Sequence, residues 1–229
     1  MITCPICKTE HEDNVLQELE IECRFRPIEG ISQNMVRYQC SVCNVIFGPM
    51  DMLNLDPKKL TQAYLDIYSS GYHEANSTNL EFYLLTTLSP IPGQTFINFG
   101  GGGINTTSQR AKDELGVTLI NYDPGFSLNI SLPNQKIDGI ISNNVLDHLQ
   151  DPIKELLFMK SLLKEGACMT HCSDGFYYLV PFTKYHLYFF ICESFNYVTK
   201  AINMNQELIV VPSYADASKI IKLSQIKEE

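Results

Sequence analysis

Four cysteines near the N-terminus have the spacing that most directly indicates chemistry in this sequence. They form two pairs, in the segments CPIC and CSVC, at Cys4, Cys7, Cys40 and Cys43. Each pair can form a knuckle in which backbone amides surround a thiolate, and two knuckles supply the four tetrahedral thiolates of a structural zinc site. A redox CxxC pair normally occurs singly. We therefore predict structural zinc, with an iron site of the rubredoxin type as the alternative, since four thiolates also suit iron.

The cysteine pairs define a predicted zinc-ribbon module over residues 1–50. A segment of this length buries little apolar surface, so metal binding would supply much of its folding free energy. The whole chain has a formal net charge of −9, and acidic side chains outnumber basic ones within the module. Affinity for nucleic acid comes largely from basic side chains that neutralise phosphates. The charge balance therefore argues against DNA or RNA as a partner.

A second pattern with chemical meaning is rich in glycine. The apolar segment QTFINF at 94–99 leads into four glycines at 100–103, and a segment with helical spacing follows. Glycines let the backbone pass close to a ligand, and a helix N-terminus offers amides to an anionic group. Asp123 follows the next apolar segment, where an acidic side chain is placed to bind ribose hydroxyls. The pattern predicts a nucleoside-containing cofactor, with a flexible turn as the alternative.

The elements that must position these residues alternate between strand and helix. Strands are predicted at 94–99, 117–122, 137–142 and 167–172, and helices at 106–115 and from Asp151-Pro152 to Gly166. Such alternation is typical of an α/β fold with a parallel sheet and right-handed crossovers. Residues 51–91 are predicted to be a helical linker, in which Asp56-Pro57 starts a helix. A helix at 193–202, a strand at 208–211 and a tail that is either loose or helical complete the prediction.

Residues 94–190 resemble the class I S-adenosylmethionine-dependent methyltransferases. The segment NFGGGGI at 98–104 is similar to the family's glycine loop, and NYDP at 121–124 resembles the end of its second strand. DGIISNNVLDHL at 138–149 resembles the fourth-strand motif, and LLKEG at 162–166 resembles the end of the following helix. The four segments occur in the family's order. The resemblance implies a Rossmann-like fold and S-adenosyl-L-methionine as the cofactor.

The resemblance also implies which residues contact the cofactor. The three glycines would line its methionine part, the aspartate would hold the ribose, the proline would help to place the adenine, and two asparagines would face the sulfonium. In chain order these residues are Asn98, Gly100, Gly101, Gly102, Asp123, Pro124, Asn143 and Asn144.

Two positions depart from the family's pattern. Asn98 stands where an acidic residue usually helps to orient the cofactor, and Ile104 stands where a third glycine is expected. An asparagine can still form hydrogen bonds, but it cannot pair with a cation. These departures motivate an alternative in which the chain is a non-catalytic binding protein that has lost the cofactor.

His148 and His186 are the candidate catalytic residues. His148 belongs to the segment VLDH, and His186 lies in the aromatic segment FTKYHLYFF at 182–190, a position that resembles a substrate-facing loop. An imidazole titrates near neutral pH and can therefore accept a proton from an acceptor group. Methyl transfer needs mainly the alignment of nucleophile, methyl and sulfur, so a nucleophilic acceptor needs no base.

The cysteine module is consistent with one subgroup of these methyltransferases. RYQCSVCNVIF at 37–47 resembles the second knuckle of that subgroup, many of whose members are thought to act on sugars or other small metabolites. We therefore expect a zinc module at 1–50, a linker at 51–91 and a methyltransferase domain at 92–229. The expected reaction is methyl transfer to a small molecule, such as a sugar or a sugar nucleotide. The alternative is a methyltransferase that acts on protein or RNA through its zinc module.

The sequence shows neither a secretory signal nor a run of about 18 apolar residues that would span a membrane. We therefore expect a cytoplasmic protein with no membrane span.

Overall fold

A computed structural model of the chain describes residues 1–12, 17–24, 27–69, 77–102, 106–123, 131–178, 180–191, 193–210 and 219–226. Three residues of the motifs that the sequence singles out, Gly103, Ile104 and Pro124, lie outside these ranges.

Within the described residues the strands are β1 (Ile2–Thr3), β2 (Glu10–His11), β3 (Gln17–Glu22), β4 (Asn34–Gln39), β5 (Ile46–Phe47), β6 (Thr95–Phe99), β7 (Thr118–Tyr122), β8 (Ile137–Asn143), β9 (Leu163–Cys172), β10 (Tyr188–Phe189), β11 (Met204–Val210) and β12 (Lys219–Gln225). The helices are α1 (Met50–Leu53), α2 (Pro57–Ser69), α3 (Ser77–Thr87), α4 (Thr107–Leu115), α5 (Pro152–Leu162) and α6 (Ser194–Ile202).

A six-stranded sheet with the order β11-β12-β9-β8-β6-β7 forms the centre of the fold. Strands β7, β6, β8 and β9 run parallel, and β12 runs antiparallel to both β9 and β11. Helix α4 connects β6 to β7 and helix α5 connects β8 to β9, because parallel neighbours need a long crossover. The predicted parallel α/β sheet is confirmed. Its topology brings the carboxyl ends of β6, β7 and β8 to one edge.

Two helix starts follow from an aspartate before a proline. In α2 the Asp56 carboxylate accepts the Lys58 N–H at 2.9 Å, and in α5 the Asp151 carboxylate accepts the Lys154 N–H at 3.0 Å. The proline at the first helical position lacks an N–H that would have no partner there, and the aspartate caps amides that follow it. Both predicted starts are confirmed.

The predicted end of α5 at Gly166 is wrong. The helix ends at Leu162, and Leu163 has an extended backbone, with φ of −73° and ψ of 145°. Leu163 pairs with Ile137 of β8, so the next strand begins before the glycine. The strand pairing outweighs the helical spacing of the leucines.

The prediction of a loose or helical C-terminal tail is also wrong. Residues 219–225 form β12, which inserts between β9 and β11. The side chains of Ile220, Ile221 and Leu223 are buried there. Hydrogen bonding to strands on both sides and burial of three apolar side chains stabilise a strand that the polar composition of the tail conceals.

A second sheet joins the N-terminal segment to the C-terminal half of the chain. Its order is β10-β5-β4-β3, so that β10 (Tyr188–Phe189) extends a sheet whose other strands lie before residue 50. The Arg37 guanidinium is fully buried beside this junction. It donates to the carbonyl oxygens of Gly48 and His186 at 2.6 Å, of Thr183 at 2.6 Å and of Pro181 at 3.1 Å. The cysteine module and the segment 181–189 therefore form one packed unit.

Among the described residues, no helix combines the length and the apolar composition needed to cross a membrane.

Candidate functional site

The four predicted metal ligands come together in the structure. Their sulfur atoms lie within 4.8 Å of one another. The Sγ atoms of Cys4 and Cys43 are 3.6 Å apart, as are those of Cys7 and Cys40. With Zn–S bonds of about 2.3 Å, neighbouring sulfurs of a tetrahedral site lie about 3.8 Å apart. The cluster therefore has the size of a four-thiolate metal site, and zinc remains the predicted ion.

The two cysteine knuckles repeat one backbone geometry. The Cys4 carbonyl accepts the Lys8 N–H at 3.0 Å, and the Cys40 carbonyl accepts the Asn44 N–H at 2.9 Å. Lys8 and Asn44 each have a φ of 61°, a left-handed conformation that lets the chain turn around the sulfur. This repetition explains why two short CxxC pairs, distant in sequence, present their sulfurs in the same way.

His11 adds a contact to the cysteine cluster that the CxxC pattern does not predict. Its buried ring places Nε2 3.3 Å from Cys40 Sγ. An N–H that points at a thiolate stabilises its negative charge, as outer groups do around bound metals. A hydrogen bond from Cys43 lowers the pKa of the Cys4 thiol to about 5, whereas the same bond raises the pKa of Cys43 and burial raises the pKa of Cys40.

The glycine turn after β6 has no room for side chains at two positions. A Cβ on Gly100 would lie 2.5 Å from Val145 Cγ2, and a Cβ on Gly101 would lie 1.8 Å from Asn121 Oδ1. Gly100 and Gly102 also have φ values of 74° and 68°, which favour glycine. The turn therefore lies directly against β7 and against the segment that follows β8.

Asn98 and Asn121, paired across β6 and β7, fix this turn. The Asn98 Nδ2 donates to Asn121 Oδ1 at 3.1 Å, and the Asn121 Nδ2 donates to the Gly102 carbonyl at 2.8 Å. A carboxylate at position 98 could not donate to Asn121, which gives the departure from the family's acidic residue a physical reason. Asn98 is fully buried, and its Oδ1 has no hydrogen-bond partner among the described residues.

Asp123 directly follows β7 and lies beside the same turn. Its Oδ2 accepts the Gly102 N–H at 3.0 Å. A carboxylate accepts several hydrogen bonds at once, so this bond is compatible with binding of ribose hydroxyls. The predicted ribose ligand is thus held next to the glycines.

The two asparagines at the end of β8 differ in their surroundings. The buried Asn143 Oδ1 has no hydrogen-bond partner among the residues that the structure describes. Asn144, by contrast, has a φ of 49°, and its Oδ1 accepts the Asp174 N–H at 2.8 Å. Asn143 therefore offers an acceptor at the edge of the sheet, while the side chain of Asn144 links the loop after β8 to the segment after β9.

The two predicted catalytic histidines meet at one carboxylate. The Oδ2 of Asp147 lies 3.7 Å from His148 Nε2 and 3.6 Å from His186 Nε2. The two imidazole rings are 4.7 Å apart and nearly perpendicular. Tyr64 of α2 approaches from the other side, with its hydroxyl 3.1 Å from His148 Nδ1. Segments that are distant in sequence therefore build one cluster of ionisable groups.

No family model matches the sequence, and no curated protein matches it. Solved structures match the fold at low identity. A chain of the complex between the Haloferax volcanii Trm112 methyltransferase activator and a methyltransferase superposes with a TM-score of 0.51 at 10% identity, over 74% of this chain and 98% of that one. Haemonchus contortus phosphoethanolamine N-methyltransferase 2 superposes with a TM-score of 0.50 at 13% identity, over 79% of this chain and 59% of that one.

The chain has the class I methyltransferase fold. It spans less than two thirds of the length of the Haemonchus enzyme. The [4+2]-cyclase SpnF superposes equally well, with a TM-score of 0.50 at 10% identity over 76% of this chain and 96% of that one. The class I methyltransferase fold is therefore shared with a protein named for a different reaction, so function has to be argued from the site.

The residues at the sheet edge of this methyltransferase fold fit S-adenosylmethionine. Buried amide oxygens of Asn98 and Asn143 lack donors among the described residues, and the cofactor's methionine part carries an ammonium group. The carboxylate of Asp123 suits ribose hydroxyls, and the glycine turn allows close approach of the backbone. In an open α/β sheet, ligands bind at the carboxyl ends of the strands, where these groups lie.

The predicted motifs contain two further residues to which the sequence assigns no role. Asn121 lies within NYDP and Asp147 lies within VLDH, and both act through contacts with residues distant in sequence. The one available signal is their polar character at the end of an apolar strand, which does not reveal the partner. The register of β6 and β7 identifies Asn98 as the partner of Asn121, and the packing of the segment before β10 identifies His186 as the partner of Asp147.

Proposed function

We propose that this protein transfers a methyl group from S-adenosyl-L-methionine to a small-molecule acceptor. The observation that carries the proposal is the edge formed by the ends of β6, β7 and β8. There, buried oxygens of Asn98 and Asn143 need donors, and the Asp123 carboxylate lies beside a glycine turn. The cofactor supplies a methyl group on a positively charged sulfur. The task of the chain is to bind and align the two reactants.

Each cofactor residue has a role that its surroundings support. Asp123 would accept hydrogen bonds from the ribose hydroxyls, and the Asn98 Oδ1 would accept one from the methionine ammonium. The amides of Asn98 and Asn121 are already engaged in fixing the glycine turn, so the turn is organised before the cofactor binds. A preorganised site loses less conformational entropy on binding.

We assign His148 and His186 to the acceptor side. Only 19% of the His148 side chain and 9% of the His186 side chain are exposed. Tyr64 of α2 packs against His148, and Phe189 packs against His186. So little exposure suits a small molecule, such as a sugar or a sugar nucleotide, better than the surface of a protein or an RNA. The imidazoles can bind an acceptor hydroxyl or accept its proton.

The cysteine module would stabilise this cover. It holds the segment 181–189 through Arg37 and β10, and Tyr197 of α6 donates to the Val42 carbonyl at 3.1 Å. We therefore propose a structural zinc ion whose module positions the acceptor side. Part of the module's surface is occupied by contacts within the chain, which disfavours a dedicated docking role for a protein or RNA substrate.

A non-catalytic binding protein is the second candidate. The observation in its favour is Asn98 in place of the family's acidic residue. The hydrogen bond that Asn98 donates to Asn121 explains why an amide stands at this position, and it is compatible with cofactor binding. Binding of the cofactor product therefore distinguishes the two candidates.

Calorimetry with S-adenosylhomocysteine tests the proposal. The wild-type chain should bind it in a saturable way, and Asp123→Asn should weaken binding about 10- to 100-fold, because a hydrogen bond to a charged group contributes about 1.5–3 kcal/mol. Asp113→Asn is the matched control, since it removes the same charge from an exposed position of α4. Absence of binding by the wild-type chain at about 1 mM ligand would refute the enzyme proposal. Equal weakening by the control would refute the role of Asp123.

A further inference from the structure

Asp147, His148 and His186 form a group of metal-ligating atoms that is separate from the cysteines. One carboxylate oxygen and two imidazole nitrogens lie within 4.8 Å of one another. Asp147 and His148 lie in the loop after β8, and His186 lies just before β10. Two imidazoles with one carboxylate are a common ligand set for zinc and related divalent transition metals.

The carboxylate at the centre of this group is incompletely satisfied. Asp147 is fully buried, and its Oδ1 accepts the Ser173 hydroxyl. Its Oδ2 has no hydrogen-bond partner among the described residues. A buried carboxylate oxygen without a partner is costly, so a positively charged neighbour is expected.

The distances in the group are too long for hydrogen bonds and suit a shared cation. The separations of 3.6 and 3.7 Å between Asp147 Oδ2 and the two Nε2 atoms exceed the usual N–H···O range of about 2.7–3.2 Å. Ligands that are each about 2.0–2.2 Å from zinc lie about 3.3–3.7 Å apart at tetrahedral to trigonal angles. The two histidines therefore approach the carboxylate at ligand-to-ligand distances.

Outer contacts hold the histidines in place. The Tyr64 hydroxyl lies 3.1 Å from His148 Nδ1, and a hydrogen bond at this nitrogen leaves Nε2 as the ligand atom. Arg37 donates to the carbonyl oxygen of His186 and fixes its backbone. The contact of Tyr64 with the ring of His148 is of the kind that orients imidazoles around metals.

We propose that Asp147, His148 and His186 bind a divalent transition-metal ion of the zinc type. None of the four cysteines is a ligand of this site, and the proposal does not rest on methyl transfer. Three protein ligands leave a coordination position open, as in catalytic rather than structural zinc sites. With the ion bound, the two imidazoles hold the ion, and its open coordination position would take over from them the binding of an acceptor hydroxyl.

Cobalt titration of the metal-depleted, full-length chain tests this site. Cobalt bound to thiolates gives an intense charge-transfer band in the near ultraviolet, which cobalt bound to imidazole and carboxylate lacks, so the two sites can be followed separately. The wild-type chain should bind two equivalents, one for each group of ligands. Asp147→Asn and His186→Gln should each bind one equivalent and keep the full thiolate band. The retained band shows that the cysteine module of each variant is still folded.

Two further variants complete the test. Cys40→Ser should reduce the thiolate band more than it reduces cobalt binding at the second site, because none of the ligands there is a cysteine. Tyr64→Phe should weaken cobalt binding at the second site about 10- to 100-fold, as loss of an outer contact does. Tyr83→Phe of α3 is the matched control and should change nothing.

The proposal is overturned if the wild-type chain binds a single equivalent, all of it in the thiolate site. It is overturned equally if Asp147→Asn and His186→Gln still bind two equivalents. In the first case Asp147, His148 and His186 interact with one another without a metal ion.

Discussion

Replacing Gly101 with alanine probes the turn on which the cofactor site depends. The new Cβ would lie 1.8 Å from Asn121 Oδ1 and 2.5 Å from Asn98 Nδ2, so the Asn121 side chain has to move away. That movement breaks the hydrogen bonds of Asn121 with Asn98 and with the Gly102 carbonyl. Each bond contributes about 1 kcal/mol, and a buried amide left without a partner costs about 1–3 kcal/mol more. The free energy of unfolding should therefore fall by about 3–5 kcal/mol.

A double-mutant cycle with Asn121→Ala isolates this contact. Asn121→Ala removes the same two hydrogen bonds, so the double variant should be about as stable as Asn121→Ala alone. Denaturant unfolding followed by circular dichroism should then give a coupling free energy of about 3 kcal/mol. Gly102→Ala is the control, because its Cβ would meet no described atom within 4 Å and only the positive φ, at about 1–2 kcal/mol, opposes it. Additive losses in the cycle would show that a side chain at position 101 does not act through Asn121.

Three further predictions concern stability. Burial lowers the pKa of His171 to about 3, whereas in the unfolded chain it is about 6.5. Between these two pH values the unfolded state binds more protons than the folded state. The free energy of unfolding therefore falls as the pH falls. Denaturant unfolding at pH 7 and pH 5 should show a loss of about 2 kcal/mol that is absent in His171→Gln; equal pH dependence in both would contradict this. Arg37→Met should lower the free energy of unfolding by about 3–5 kcal/mol, because it leaves buried carbonyl oxygens without donors. Arg37→Lys should not restore this stability, because an ammonium cannot reproduce the guanidinium geometry. A thermal scan that gives the lysine variant a wild-type Tm would disprove this. Metal chelation should lower the Tm of the wild-type chain by more than it lowers the Tm of Cys40→Ser, because the variant has lost one of the four thiolate ligands. An unchanged Tm of the wild-type chain on chelation would count against a structural metal.

Local patterns in the sequence predict the framework of this fold well. The apolar runs that become β6, β7 and β8, and the Asp-Pro starts of α2 and α5, depend on neighbours in sequence, and the structure confirms them. The glycine turn is predicted for the same reason, since strand, glycines and helix are adjacent. Strand β12 escapes prediction because its stability comes from two partner strands and not from its own composition.

The parts of the site that the sequence does not predict depend on distant contacts. The burial of Arg37 is decided by carbonyl oxygens of the segment 181–186, and charged residues are otherwise expected at the surface. The role of Asp147 depends on His186, which lies close to it because β10 pairs with β5. His11 likewise lies outside the CxxC pattern and contacts Cys40 through the pairing of β1 with β2. A single sequence carries no signal for such pairings.

Hydrogen–deuterium exchange with and without S-adenosylhomocysteine tests most directly the claim that the carboxyl ends of β6, β7 and β8 bind the cofactor. At a saturating concentration of the ligand, we expect slower exchange of backbone amides in residues 98–102, 119–123 and 141–145, and little change in the cysteine module. Protection confined to another part of the chain, or no protection at any concentration up to about 1 mM, would contradict binding at this edge.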